Sequence, residues 1–142
     1  GMLFSALTWG DRVRALEEVE EGTRILERTL KRSVAGATIM TENPTGTLLL
    51  TGADECWSFA YINGQERINY SHLVEAGCVP TSNPTENLLP GLTITALDFD
   101  LTDFATGGRE LNLTASLERR YPLGSYAREI EMTVMNYLIN EQ

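Results

Sequence analysis

From Asp11 to Val34 the apolar residues Val13, Leu16, Val19, Leu26, Leu30 and Val34, with Thr23 between them, recur at steps of three and four. Such spacing lines one side of an α-helix, and it predicts a helix over residues 10–35 with these six aliphatic residues as its packing face. Glu17, Glu18, Glu21, Arg24, Glu27, Arg28 and Lys31 fall largely outside that stripe. Acidic residues crowd its first half and Arg24, Arg28, Lys31 and Arg32 its second, the order that the helix dipole favours. Thr8 or Asp11 would cap its start, and Gly36 its end. Glu20–Arg24 and Glu27–Lys31 stand at favourable four-residue spacing. Burying the apolar stripe would contribute on the order of 10 kcal/mol gross, so the helix needs a sheet or a partner to lie on.

Behind Gly36 the period changes from 3.6 to 2, over the stretch 38–142. Thr38–Met40 and Thr47–Thr51 read as short strands. Cys56–Ile62 is an aromatic strand with Trp57, Phe59 and Tyr61 on one side, where core packing outweighs a ligand platform. Asn63-Gly64 predicts a two-residue type I′ hairpin turn, with Gln65–Leu73 returning as the partner strand. Glu75–Pro90, broken by Gly77, Pro80, Pro84 and Pro90, reads as a long surface loop. In Leu92–Leu101, Thr93, Thr95, Leu97, Phe99 and Leu101 face one way; Ile94 and Ala96 interrupt the alternation, which a bulge or a doubly covered strand would explain. After Gly107-Gly108, Arg109–Glu118 alternates cleanly, with Leu111, Leu113, Ala115 and Leu117 inward. Arg119–Ser125 reads as a loop and Tyr126–Ile139 as the last strand. One long helix followed by antiparallel strands is an α+β order, expected here as one domain spanning 1–142 with the helix packed on an antiparallel sheet.

Ahead of the helix stands an apolar stub, Met2–Trp9. Gly1 before Met2 looks like the remnant of tag cleavage, so residues 1–9 read as the tail of a longer apolar segment. The chain carries 11 basic and 20 acidic residues, a net charge of −9. That balance argues against direct nucleic-acid binding, which needs a basic footprint. Cys56 and Cys78 are either two buried thiols or a disulfide, whose loop closure would stabilise by about 3 kcal/mol.

Little in the sequence reads as chemistry. His72 is the only histidine, and no nucleophile elbow accompanies it. Gly107-Gly108 lacks the lysine and hydroxyl of a phosphate loop. The one metal-like spacing is Asp98-x-Asp100-x-x-Asp103, whose first two carboxylates share a strand face; a solvated face is the preferred reading over a cation site. No catalytic residue, metal or cofactor is expected, and the chain is read as a non-enzyme.

Two stretches resemble the type IV pilin and type II secretion pseudopilin superfamily, in its minor subunits. Arg14–Glu18 through Leu26–Val34 looks like the soluble half of a pilin's N-terminal helix. Thr47–Leu50, Cys56–Ile62, Asn63-Gly64 and Glu66–Ile68, then Leu88–Phe99, are similar to the strand, strand, hairpin and lead-in run of the minor pseudopilins. The family's leader, with its glycine, phenylalanine and early glutamate at the head of about twenty apolar residues, does not lie in this chain. The resemblance implies a structural subunit of a pilus, a secretion pseudopilus or a DNA-uptake filament. A prepilin peptidase would process its precursor, and the apolar segment would anchor it in the inner membrane. Its helix would pack against the helices of other subunits, with the globular part in the periplasm or outside the cell, where a Cys56–Cys78 bridge would persist. The other reading is a soluble extracytoplasmic ligand-binding or accessory domain of helix-on-sheet type.

Overall fold

The computed structural model describes residues 2–136 except Asn63 and Thr106, with backbone alone for residues 2–8. One N-terminal helix packs on antiparallel sheets, an α+β arrangement dominated by strands. The helix α1 runs Met2–Gly36 without a break. It therefore passes straight through Thr8 and Asp11, the two expected caps, and includes the backbone of the stub.

The buried stripe of α1 is not quite the one the aliphatic residues trace. Val19, Leu26, Leu30 and Val34 are buried as expected, but they are joined by Ala15, Gly22 and Ser33, while Val13 and Leu16 are 39% and 40% exposed. The correction has two causes. Small residues carry the inward face where the sheet comes closest: a Cβ on Gly22 would lie 2.3 Å from Leu92 Cδ1. Val13 and Leu16 sit on the flank of the helix, while Ala15 between them faces inward. The buried Ser33 hydroxyl donates to the Thr29 carbonyl at 2.6 Å, so it costs the core no unpaired donor.

Five strands, β1 (Ile39–Glu42), β2 (Leu48–Thr51), β3 (Glu55–Tyr61), β4 (Ile68–Val74) and β5 (Glu86–Asn87), form an antiparallel meander. A second sheet holds β6 (Thr93–Asp103), β7 (Arg109–Tyr121) and β8 (Gly124–Asn136). The helix lies across β7 and β8 and reaches β2 and β3 with its C-terminal end. There the Asn136 amide donates to the carbonyls of Val34 (2.6 Å) and Ala37 (3.1 Å), satisfying acceptors that a helix end leaves open. Gly52 makes the junction possible, because a Cβ there would meet the Gly36 carbonyl oxygen at 2.5 Å. One apolar core joins both sheets to the helix, centred on Leu26, Leu30, Phe59, Ile94, Leu113 and Leu117.

Two turns differ from the sequence expectation, and one strand resolves an alternative the sequence left open. The Gln65 amide donates to the Ile62 carbonyl at 3.0 Å, so the chain turns tightly here, but strand pairing resumes only at Tyr61 with Ile68; Asn63 itself lies outside the described residues. The Glu66 carbonyl explains the late pairing: it accepts from the Ile94 amide at 2.8 Å, drawing this segment toward the second sheet. Residues 119–125 are not a loop. Arg119, Arg120 and Tyr121 pair with Tyr126, Ser125 and Gly124, leaving only Pro122-Leu123 to turn. Proline fits the first central position of such a turn because its φ is already set. In β6 the register shifts between Ile94 and Ala96, so the interrupted alternation is a bulge; Ile94, Leu97, Phe99 and Leu101 face inward and Thr95 does not. The expected last strand is described to Asn136, and residues 137–139 lie outside the described part.

Candidate functional site

The part of the molecule with least reason to exist in isolation is the N-terminal end of α1. Among the described side chains of the helix, burial starts at Ala15, where the β7–β8 hairpin arrives: Arg119 Nε meets Glu18 Oε2 at 2.5 Å, and Arg128 pairs with Glu20. Arg119 also donates to the Gly91 carbonyl at 2.7 Å, tying helix, hairpin and the lead-in to β6 together. Before that clamp the helix continues for more than three turns. Trp9 is 67% exposed, and with Val13 and Leu16 it stands at i, i+4 and i+7 along one side. Three large apolar side chains on one exposed helix flank form a strip suited to packing against another helix. Among the described residues no helix is long and apolar enough to cross a membrane.

The second feature is a strap. Cys56 and Cys78 are joined as a disulfide, with Cα atoms 6.2 Å apart. The bond fastens the irregular 75–85 segment over the far face of the first sheet. The Thr47 hydroxyl donates to the Ser82 carbonyl at 3.4 Å, Arg67 donates to the Thr85 carbonyl at 3.2 Å, and Pro84 is buried. Because of this cover β3 is buried on both faces, Trp57 and Phe59 on one side, Cys56, Ser58 and Ala60 on the other. Ser58 Oγ, Arg67 Nε and Asn69 Oδ1 lie buried beneath it without a protein partner.

The residues singled out for chemistry do not converge. Asp98 and Asp100 point outward from β6, but Asp103 lies on the opposite face and pairs with Arg109 at 2.5 Å. Among the described residues no group of three acidic, histidine or cysteine side chains is placed to hold a metal ion. His72 Nε2 lies 3.0 Å from Glu55 Oε1, and its ring stacks on Trp57 at 5.3 Å and 11°. That is the environment of a packed edge residue. Trp57, Phe59 and Tyr61 face the core as expected, and the Tyr61 hydroxyl donates to the Ile94 carbonyl at 3.2 Å.

One carboxylate is electrostatically unfavourable. Glu42, at the end of β1, has its pKa raised by partial burial, then by the nearby negative charges of Asp98 and Asp100. A carboxyl group with a raised folded-state pKa binds its proton more tightly in the native than in the unfolded chain. Its contribution is therefore full below the ordinary carboxylate range and is lost as pH rises through the raised value. Glu42→Gln is expected to raise the melting temperature slightly at pH 7, and the gain should vanish on acidification. Thermal melts of both proteins across pH 3 to 8 check this; a gain that persists in acid would remove the electrostatic cause.

No protein-family model, curated protein or solved structure matches this chain.

Proposed function

We propose that the chain is the globular part of a minor pilin or pseudopilin, a non-enzymatic structural subunit of a type IV pilus, type II secretion or DNA-uptake filament. The observation that carries this reading is the free end of α1: one unbroken helix that leaves its sheet and turns Trp9, Val13 and Leu16 to solvent. A helix of this kind is half of an interface. Its continuation as an apolar segment would enter the inner membrane, and the exposed strip would pack against the helices of neighbouring subunits in the assembled filament. The disulfide suits an oxidising compartment, which supports a globular part in the periplasm or outside the cell. In this reading a prepilin peptidase removes a leader from the precursor, and no catalytic residue is needed.

The native reading frame upstream of Met2 tests the proposal most directly. A short basic leader ending in glycine, followed by about twenty apolar residues with an early glutamate, is the expected result. A cleavable secretory signal or a native start at Met2 would overturn it in favour of a soluble extracytoplasmic domain. A second test separates assembly from folding. Replacing Trp9, Val13 and Leu16 together by serine should leave stability within about 0.5 kcal/mol, since exposed side chains contribute little to the fold. The same protein should no longer co-purify with the other filament subunits from the cell envelope.

A further inference from the structure

Two charged surfaces lie on opposite sides of this domain. The second sheet turns its inner face to α1, so the outer face of the sheet and the outer face of the helix look in opposite directions. On the outer sheet face β7 presents the small polar residues Asn112, Thr114 and Ser116 along the middle. The register sets Asp98 and Asp100 of β6 on one flank and Glu129 and Glu131 of β8 on the other. Strands lie about 4.8 Å apart, so the two carboxylate rows stand on the order of 10 Å from each other across a neutral floor. Between Asp98 on one side and Glu129 and Glu131 on the other, over Thr114 and Ser116, lies an open trough of about 580 Å³. None of these four carboxylates makes an ion pair among the described residues.

The outer side of α1 is the complement. Arg24, Arg28, Lys31 and Arg32 project together from its C-terminal half, all exposed. Arg24 and Lys31 are held by Glu21 and Glu27 at 2.7 and 2.5 Å, while Arg28 and Arg32 make no ion pair among the described residues. An α-helix with its side chains is about 10–12 Å across, the width of the trough.

We infer that the chain self-associates head to tail, the basic side of α1 in one copy seated in the acidic trough of the next. The two patches are different surfaces on opposite sides of the domain. Each contact therefore leaves one of each free, which makes an open stack rather than a closed dimer. The net charge of −9 on every copy opposes this only at long range, because at physiological ionic strength charges beyond about 8 Å are largely screened. The inference rests on residues 24–131 and not on the free helix end, so it stands or falls independently of membership in a pilus.

Sedimentation velocity of the whole chain, over a concentration series in 0.15 M and 1 M NaCl, is the test. The average mass should climb with concentration in low salt and return to that of the monomer in high salt. Arg28→Glu with Arg32→Glu, and separately Glu129→Lys with Glu131→Lys, should each weaken association by about tenfold or more. Both pairs are exposed, and circular dichroism should show the fold unchanged. Mixing the two variants brings the intact basic helix of one to the intact acidic trough of the other, so the mixture should form at least heterodimers where neither variant associates alone. A chain that stays monomeric in low salt, assembly indifferent to both variants, or a mixture that stays monomeric would each overturn the proposal. So would a monomer whose trough instead takes up a basic helical peptide.

Discussion

Replacing Phe59 by alanine is expected to cost about 3–5 kcal/mol, among the largest losses from a single side chain in this fold. Phe59 is fully buried on β3, between Leu48 of β2 and Tyr70 of β4, with its ring 5.2 Å from that of Tyr70 at 45°. The site cannot collapse around the cavity. On one side β3 is pinned under the disulfide strap, and on the other the core residues are held between two sheets and the helix. For a chain of this size the loss corresponds to a fall in melting temperature on the order of 10–20 °C. Urea denaturation should show the midpoint falling with little change in slope, because the surface exposed on unfolding is nearly the same. A loss below about 1 kcal/mol would mean that β3 is not the centre of the core.

That β3 is central follows from the sequence only in part. The clean alternation of Leu111, Leu113, Ala115 and Leu117 reads directly as one buried face, and the structure buries all four. The broken alternation at Ile94 and Ala96 fits a bulge or a doubly covered strand, and the register shift decides for the bulge, since one extra residue flips the parity of a strand. The pattern fails where burial is achieved by something other than large apolar side chains. Ala15 and Gly22 lie on the inward face of α1 because they let the sheet and Leu92 come close, and closeness leaves no trace in hydrophobicity. Val13 and Leu16 are as apolar as Val19, but they lie on the flank of the helix while Ala15 between them faces the β7–β8 hairpin; no local signal encodes which side a distant hairpin will cover. Around Asn63-Gly64 the Gln65 amide closes on the Ile62 carbonyl as a turn requires, but the return strand's register is not local: the Glu66 carbonyl accepts from the Ile94 amide, 28 residues away in the chain. The paired faces of acid and base were hidden for a further reason. Asp98, Thr114 and Glu131 become one row only once the register of three strands is known.

Removing the disulfide is the other change with a large expected effect. Cys56 and Cys78 are separated by 22 positions, and closing such a loop stabilises by about 3 kcal/mol through the entropy it takes from the unfolded chain. A Cys56→Ala, Cys78→Ala double variant should lose somewhat less than this. Once the strap is loose, water reaches Ser58 Oγ, Arg67 Nε and Asn69 Oδ1, three buried polar atoms that have no protein partner beneath it. Hydrating them offsets part of the lost constraint, since an unpaired buried polar atom costs about 1–3 kcal/mol. The offset is partial, because the strap also keeps its contacts at Thr47, Arg67 and Pro84 without the bond. Two measurements separate these effects. Urea denaturation of wild type with and without a reductant should reproduce the loss seen in the double variant. Limited proteolysis should then cut the variant within 75–85 while the rest of the chain stays resistant. A variant as stable as wild type would show that the bridge does not constrain the unfolded chain, and a strap equally protected without it would show that Thr47, Arg67 and Pro84 alone hold the cover in place.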